Sequence, residues 1–340
     1  MKKQSFFSKI MLLLNMIFSF CLLLACIIPY TSSASLAFVS LAVPLLVFVN
    51  ILFFIYWLLR KKFYVLLSLS ILVYGFLTLG TFIGFNSINK SINTEDSITI
   101  MSFNSLGFRG EKDEWESTAG DTIVKFIQNE RPDIICFQEF DNRKIRSHYF
   151  EEYPYKYVDF EYDNNRVIQA VYSKYEIVHK GLLEFPETLN SAVYVDIKYN
   201  TDTLRIYNLH LESLSIRPYN IKSERSDKLF GRLRHSFAKQ QEQSTIVKEH
   251  MKNSPYKNIV CGDFNNTQFS NSYFTIKGNL KDSFLEKGRG YGKTINFWKF
   301  PFRIDYILVD PAFEVLSHKN YGINLSDHEP IMATIKIPTE

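Results

Sequence analysis

Not one Asp or Glu occurs before Glu95 in this 340-residue chain. That absence divides the sequence in two. Seven of the 39 Lys and Arg lie in residues 1–90, namely Lys2, Lys3, Lys9, Arg60, Lys61, Lys62 and Lys90. The other 32 face all 35 acidic residues, so the chain beyond residue 90 is mildly acidic although the whole is formally +4. A dedicated nucleic-acid binder shows a strongly basic domain. None is present, and only a local basic patch could hold phosphates. Cysteine is scarce too. Cys21, Cys26, Cys136 and Cys261 sit in apolar runs without zinc-ligand spacing, which argues against a metal cage or disulfide framework. They read as small buried hydrophobes.

The acid-free third instead holds three apolar runs without charge: Ile10–Ile28, Leu36–Leu59 and Phe63–Phe85. Each is near or above the roughly 20 residues that cross a bilayer as a helix. Pro44 is tolerable in a membrane helix. A cleaved signal peptide is the other reading of the first run, but two more runs follow at once. Lys2, Lys3 and Lys9 precede the first run, and Arg60–Lys62 separate the second from the third. Positive flanks stay inside. The expectation is therefore three transmembrane helices in residues 1–90, contacting membrane lipid through residues 10–85. A polar tether at Asn86–Asp96 then leads to an extracytoplasmic domain over residues 97–340.

In that domain short β-rich runs alternate with helical patterns. Strands are expected at Ser97–Phe103, Asp133–Phe137, Val167–Ser173, Ala192–Lys198, Thr203–Leu209, Asn258–Cys261 and Arg303–Val309. Helices are expected at Asp121–Asn129, ending before Pro132, and at Phe237–Met251. Many strands with few helices suggest an α/β sandwich of two packed sheets, with chemistry on strand-end loops. The polar stretch Ser213–Ser236 carries Arg217, Lys222, Arg225, Lys228, Arg232 and Arg234 against Glu224 and Asp227. It reads either as a solvated surface loop or as a basic flap over a phosphate-bearing substrate.

Polar clusters sit at the ends of apolar runs: Asn104, Gln138-Glu139, Asn208-Leu209-His210, Gly262-Asp263-Phe264-Asn265 and Ser326-Asp327-His328, with Asp305 inside a strand. Singly, each is what a turn former looks like. Together they supply hard oxygen ligands suited to Mg²⁺ or Mn²⁺, with two imidazoles. Phosphoester cleavage needs such parts: charge neutralised on the phosphate, an activated water, and help for the leaving oxygen.

The motifs Ser-Phe-Asn at 102–104, Gln-Glu at 138–139, Asn-Leu-His at 208–210, Gly-Asp-Phe-Asn at 262–265, Arg-Ile-Asp-Tyr at 303–306 and Ser-Asp-His at 326–328 resemble, in order and spacing, the endonuclease/exonuclease/phosphatase superfamily, the group related to deoxyribonuclease I. The resemblance covers about residues 97–337. It implies an α/β four-layer sandwich of two packed, mainly antiparallel β-sheets flanked by helices. It also implies roles. Glu139 resembles the principal metal ligand, with Asn104 and Asp327 beside it. Asp263 resembles the group that activates the attacking water, with Asn265 next to it. His328 resembles the phosphate-binding histidine oriented by Asp305, and His210 the second histidine. Asn208, Arg232 and Arg234 stand as substrate-binding candidates. Tyr172 reads equally as an active-site tyrosine or as core.

The reading that follows is a hydrolase of phosphoester bonds, a phosphodiester above all, that uses Mg²⁺ or Mn²⁺. Its substrate is either extracellular DNA or RNA, or a phospholipid or inositol phosphate. A non-catalytic membrane scaffold that keeps only the fold is the alternative.

Overall fold

The computed structural model describes residues 5–86, 96–110, 118–141, 143, 147–159, 167–215, 225–297 and 300–338. Lys2, Lys3, Lys90, Arg217, Lys222, Glu224 and most of the expected tether lie outside the described residues.

The apolar third forms three helices, α1 (Phe6–Ile27), α2 (Val43–Leu59) and α3 (Val65–Leu79). Their polarity is inverted relative to a soluble bundle. Leu13, Phe20, Phe48, Leu52, Leu66 and Phe76 are exposed, whereas Asn15, Ser19, Asn50 and Ser68 are buried. Those polar groups join the helices. Ser19 Oγ donates to Asn50 Oδ1 at 2.8 Å and Ser68 Oγ to Asn15 Oδ1 at 3.0 Å. Interhelical bonds of this kind hold helices together where the surroundings are apolar. Two helical stretches, Phe6–Tyr30 and Ala37–Leu59, at 25 and 23 residues, are long and apolar enough to cross a membrane. The third is shorter than the expected run Phe63–Phe85. It has 15 residues, about 22 Å of helix, and stops at Gly80, whose φ of 75° ends it.

The rest is a sandwich. One six-stranded sheet has the order β15 (Glu314–Asn320), β16 (Ile331–Lys336), β2 (Ser97–Asn104), β3 (Ile134–Gln138), β5 (Ala170–Ser173), β4 (Tyr155–Val158). The other has β10 (Lys281–Asp282), β14 (Asp305–Val309), β9 (Lys257–Asp263), β8 (Asp202–His210), β7 (Ser191–Tyr199), β6 (Ile177–Glu184). Neighbours are antiparallel except β2–β3 and β8–β9, the single parallel pair of each sheet. Two small ribbons, β1 (Gly84–Phe85) with β11 (Arg289–Gly290) and β12 (Ile295–Phe297) with β13 (Phe300–Phe302), complete the strands among the described residues.

Period-2 alternation sorts each strand's side chains to two faces. Ile98, Ile100, Ile134, Cys136 and Val171 meet Val193, Val195, Ile206, Ile259, Cys261 and Ile307 between the sheets. Met101, Phe103, Ile135 and Phe137 face outward onto α4 (Ala119–Glu130) through Ile123, Val124 and Ile127. Tyr207, Leu209, Val260, Tyr306 and Leu308 pack outward with Val247 and Met251 of α5 (Ser226–Lys252) and Tyr273 and Ile276 of α6 (Asn271–Lys277). This gives the expected helix–sheet–sheet–helix layering. A further short helix, α7, spans Ser283–Lys287. Tyr172 belongs to the outer aromatic core, with Phe137, Phe140 and Phe150 around it. The cysteines are free, three buried and Cys21 half-buried.

The stretch expected as a loop before Phe237 is partly helix. The helix begins at Ser226, eleven residues earlier than its periodicity suggested, and runs 27 residues. Leu229, Leu233 and Phe237 recur at helical spacing, but charged neighbours mask them in the sequence.

Candidate active site

Strand register lines the polar clusters up at one end of the sandwich. Asn104 pairs with Gln138 across the parallel β2–β3 pair. His210 pairs with Asp263 across β8–β9, and Asp263 with Asp305 across β9–β14. The chain approaches closely at Gly262, where φ is 144° and an added Cβ would lie 2.0 Å from the Leu209 carbonyl oxygen. Only glycine fits there. Just past the strand ends, Glu139 and Asn265 adopt left-handed φ of 49° and 50°. That turn costs little for Asn and more for Glu.

The side chains converge on one oxygen. Asp263 Oδ2 accepts from Asn104 Nδ2 at 3.1 Å and lies 3.6 Å from both His210 Nε2 and His328 Nε2. The same Asn104 amide donates to Glu139 Oε1 at 3.0 Å, which is 3.3 Å from His210 Nε2. Asp263 Oδ1 accepts the Asn265 backbone N–H at 2.7 Å, and Asn265 Nδ2 lies 3.4 Å from His210 Nε2. Behind His328, Asp305 faces Nδ1 with both oxygens, at 3.0 and 3.2 Å. Behind His210, Asn190 Oδ1 lies 2.7 Å from Nδ1.

Burial sets the electrostatics. Asp263 is fully buried, which pushes its carboxyl up to about 6; the nearby Asp305 charge adds to this while His328 and His210 oppose it. Burial would push the Glu139 carboxyl up as well. Hydrogen bonds from His210 and Asn104 and the charges of both histidines outweigh it, and hold the group at about 2. Burial disfavours the charged form of both imidazoles. For His328 the Asp305 and Asp263 carboxylates prevail and raise it well above the ordinary range. For His210, Glu139 and Asp263 outweigh burial and raise it above the ordinary value. Two imidazoles whose charged form is favoured thus flank a buried carboxylate, an arrangement that can bind a tetrahedral oxyanion and deprotonate a water.

Seven of the expected residues come together: Asn104, Glu139, His210, Asp263, Asn265, Asp305 and His328. Among the described residues, Asp263, Asp305 and His328 offer ligand atoms within 4.8 Å of one another. Because His328 Nδ1 is engaged by Asp305, this group reads as a carboxylate-oriented histidine rather than a cation cage. Glu139 suits a hard cation better. Its carboxylate stays ionised and its side chain is 34% exposed. Asp327 lies at the rim, exposed, accepting from Ser326 Oγ at 3.1 Å, and its charge helps raise His328.

Of the three expected substrate contacts, Asn208 sits behind the site and the two arginines lie on α5. Asn208 is fully buried, donating to the Phe137 and Ala170 carbonyls at 2.8 and 3.2 Å and accepting from Gln138 Nε2 at 2.6 Å. It ties the two sheets together behind the site. Arg232 lies on α5, with Nη1 bonded to the Leu214 and Ser215 carbonyls. Arg234 is exposed on the same helix. Asn190 was not anticipated. It precedes β7 in an ordinary polar turn, and its proximity to His210 is created by the fold alone. Thr188 and Glu212 hold it in place, with Asn190 Nδ2 donating to both, at 3.1 and 3.2 Å.

The polar side chains thus converge at one end of a two-sheet sandwich. The chain belongs to the endonuclease/exonuclease/phosphatase family, whose profile matches residues 101–328. Residues 8–82 match a domain of unknown function (DUF8431). No curated protein matches the chain. Solved structures share the fold. An endonuclease/exonuclease/phosphatase from Bacteroides vulgatus is 19% identical, with TM-score 0.56 over 71% of this chain and 99% of its own. The human Nocturnin catalytic domain, with bound sulfate, is 18% identical, with TM-score 0.55 over 72% of this chain and 95% of its own. A mannosyl-6-phosphatase from Bacteroides thetaiotaomicron is 20% identical, with TM-score 0.52 over 70% and 99%.

Proposed function

We propose that this chain is a membrane-anchored, divalent-metal-dependent phosphoesterase that cleaves a phosphodiester bond at the Asp263 centre. The observation that carries the reading is the convergence of Asn104, His210 and His328 on Asp263 Oδ2, with Asp305 behind His328.

Asp263 accepts a proton from the attacking water, which Asn265 helps to orient. Protonated His328, held by Asp305, binds a non-bridging phosphate oxygen. His210, oriented by Asn190, binds a second oxygen and donates a proton to the leaving group. Glu139, with Asn104 and Asp327 as further oxygen donors, would hold Mg²⁺ or Mn²⁺, which would neutralise charge on the phosphate. Arg232 and Arg234 on α5 add positive charge that would favour an anionic substrate. The sulfate bound by Nocturnin and the phosphatase activity in the other relative's name are in keeping with an anion site.

The membrane reading rests on the inverted polarity of the helical bundle and on its direction. The C-terminal ends of α1 and α3 both meet the sandwich, through Asn271 to the Pro29 carbonyl at 3.0 Å and Gln268 to the Thr81 carbonyl at 2.9 Å. Helices α1 and α3 therefore run the same way and α2 returns, so three passes leave the catalytic domain opposite the Arg60–Lys62 turn. With that turn inside, the domain is extracytoplasmic.

Hydrolysis of bis(p-nitrophenyl) phosphate by the full chain tests the reading. Glu139→Ala and His328→Ala should each lower kcat by about 10²-fold or more. Undiminished turnover in either variant contradicts it and favours a scaffold that keeps only the fold.

A further inference from the structure

Both loops that leave the central catalytic strands end in the membrane bundle. Past Asp263 and Asn265, the chain reaches Gln268, whose amide donates to the Thr81 carbonyl at 2.9 Å. Phe269 follows, 2% exposed, in the apolar cluster of Leu22, Val43 and Leu79, with its ring 5.9 Å from that of Phe82. Past His210, the chain reaches Leu214, which packs with Ala37 of the link between α1 and α2. On the same link, the Phe38 ring meets exposed Phe230 of α5 edge-on at 4.9 Å. These contacts lie at the bundle end that faces the catalytic domain. The active-site loops are plugged into that end rather than tethered above it.

The distances are short on the scale of a bilayer. Phe269 is four residues past Asn265, at most ~14 Å of extended chain. The headgroup layer on each side of a bilayer is about 5–8 Å deep. Lys228 and Arg234 are exposed on the stretch of α5 that carries Phe230, and cations at this level attract anionic headgroups. A nucleic-acid backbone needs a broad basic surface, whereas the chain beyond residue 90 holds fewer bases than acids.

We propose that the phosphodiester cleaved at this site is carried by a lipid of the bilayer that the bundle spans, with the docking of Phe269 and Leu214 setting the site at headgroup level. This rests on the phosphoesterase reading and on the bundle crossing the membrane. The reaction consumes one water. Its oxygen forms a new P–O bond and Asp263 takes its proton. One ester P–O bond of the lipid breaks, and the departing oxygen receives a proton from His210.

The test uses the full chain in nanodiscs of phosphatidylglycerol and phosphatidylethanolamine with Mg²⁺, following products by ³¹P NMR. Bis(p-nitrophenyl) phosphate and single-stranded DNA and RNA are assayed in parallel, and His328→Ala serves as control. The expected result is lipid turnover at least tenfold faster than nucleic-acid cleavage at equal phosphodiester concentration, and abolished in the variant. Turnover of bis(p-nitrophenyl) phosphate without lipid product overturns the inference, with or without nucleic-acid cleavage, and leaves the phosphoesterase reading standing. Inactivity on every ester overturns both.

Discussion

In the proposed mechanism Asp263 has to be ionised to take a proton from water, yet its surroundings hold its carboxyl up at about 6. Its charged form therefore dominates above that pH and is lost below it. The rate should fall roughly tenfold per pH unit as pH drops from about 6, measured as kcat on bis(p-nitrophenyl) phosphate. A rate flat to pH 4 would remove Asp263 as the base. Asp305 is the largest of the carboxylate influences that raise His328. Asp305→Asn keeps the shape but removes the negative charge behind the imidazole, and should lower kcat by about 10²-fold or more, with circular dichroism unchanged. In the proposed mechanism Asn190 acts through His210, whose Nδ1 it faces. Asn190→Ala should cost about tenfold in kcat, since a small misplacement of a reacting group is expensive. KM should change little; a change confined to KM would make Asn190 a binding group instead.

At the scale of elements, the strands that carry the site were legible because alternation and strand-end polar clusters coincide. Asn104, Glu139, His210, Asp263, Asp305 and His328 each follow or lead an apolar run, and pairing register does the rest. The exposed strands were not legible. Tyr155–Val158, Ile177–Glu184 and Glu314–Asn320 are edge strands with largely exposed or half-buried residues, so their alternation is weak. The early start of α5 was hidden by its charge. Asn208 looked like a site residue by its neighbour His210, but strand alternation turns it between the sheets. Its three hydrogen bonds give a clear expectation. Asn208→Ala removes the amide that donates to the buried Phe137 and Ala170 carbonyls, at about 1–3 kcal/mol, which would appear as a lower Tm with the metal requirement of the remaining activity unchanged. An unaltered Tm would contradict its role as a tie between sheets.

At the scale of the whole molecule, the sequence divides into an acid-free third and a mildly acidic remainder, but it does not show that the two are packed together. Phe269, Tyr30 and Phe230 look like ordinary aromatics until the fold sets them against Phe82, Phe274 and Phe38. Removing residues 1–86 would expose Phe269 and Leu214 beside the active site. A 96–340 fragment should therefore self-associate in size-exclusion chromatography without detergent; a monodisperse monomer would show that docking is dispensable to the domain. Phosphoester hydrolysis assisted by a hard cation at Glu139 is the central proposal. The most direct measurement is turnover of bis(p-nitrophenyl) phosphate by the full chain, first with EDTA and then with Mg²⁺ or Mn²⁺ restored. Turnover absent with EDTA and recovered with the metal is the expected result. Equal turnover in both, or none in either, would contradict the account.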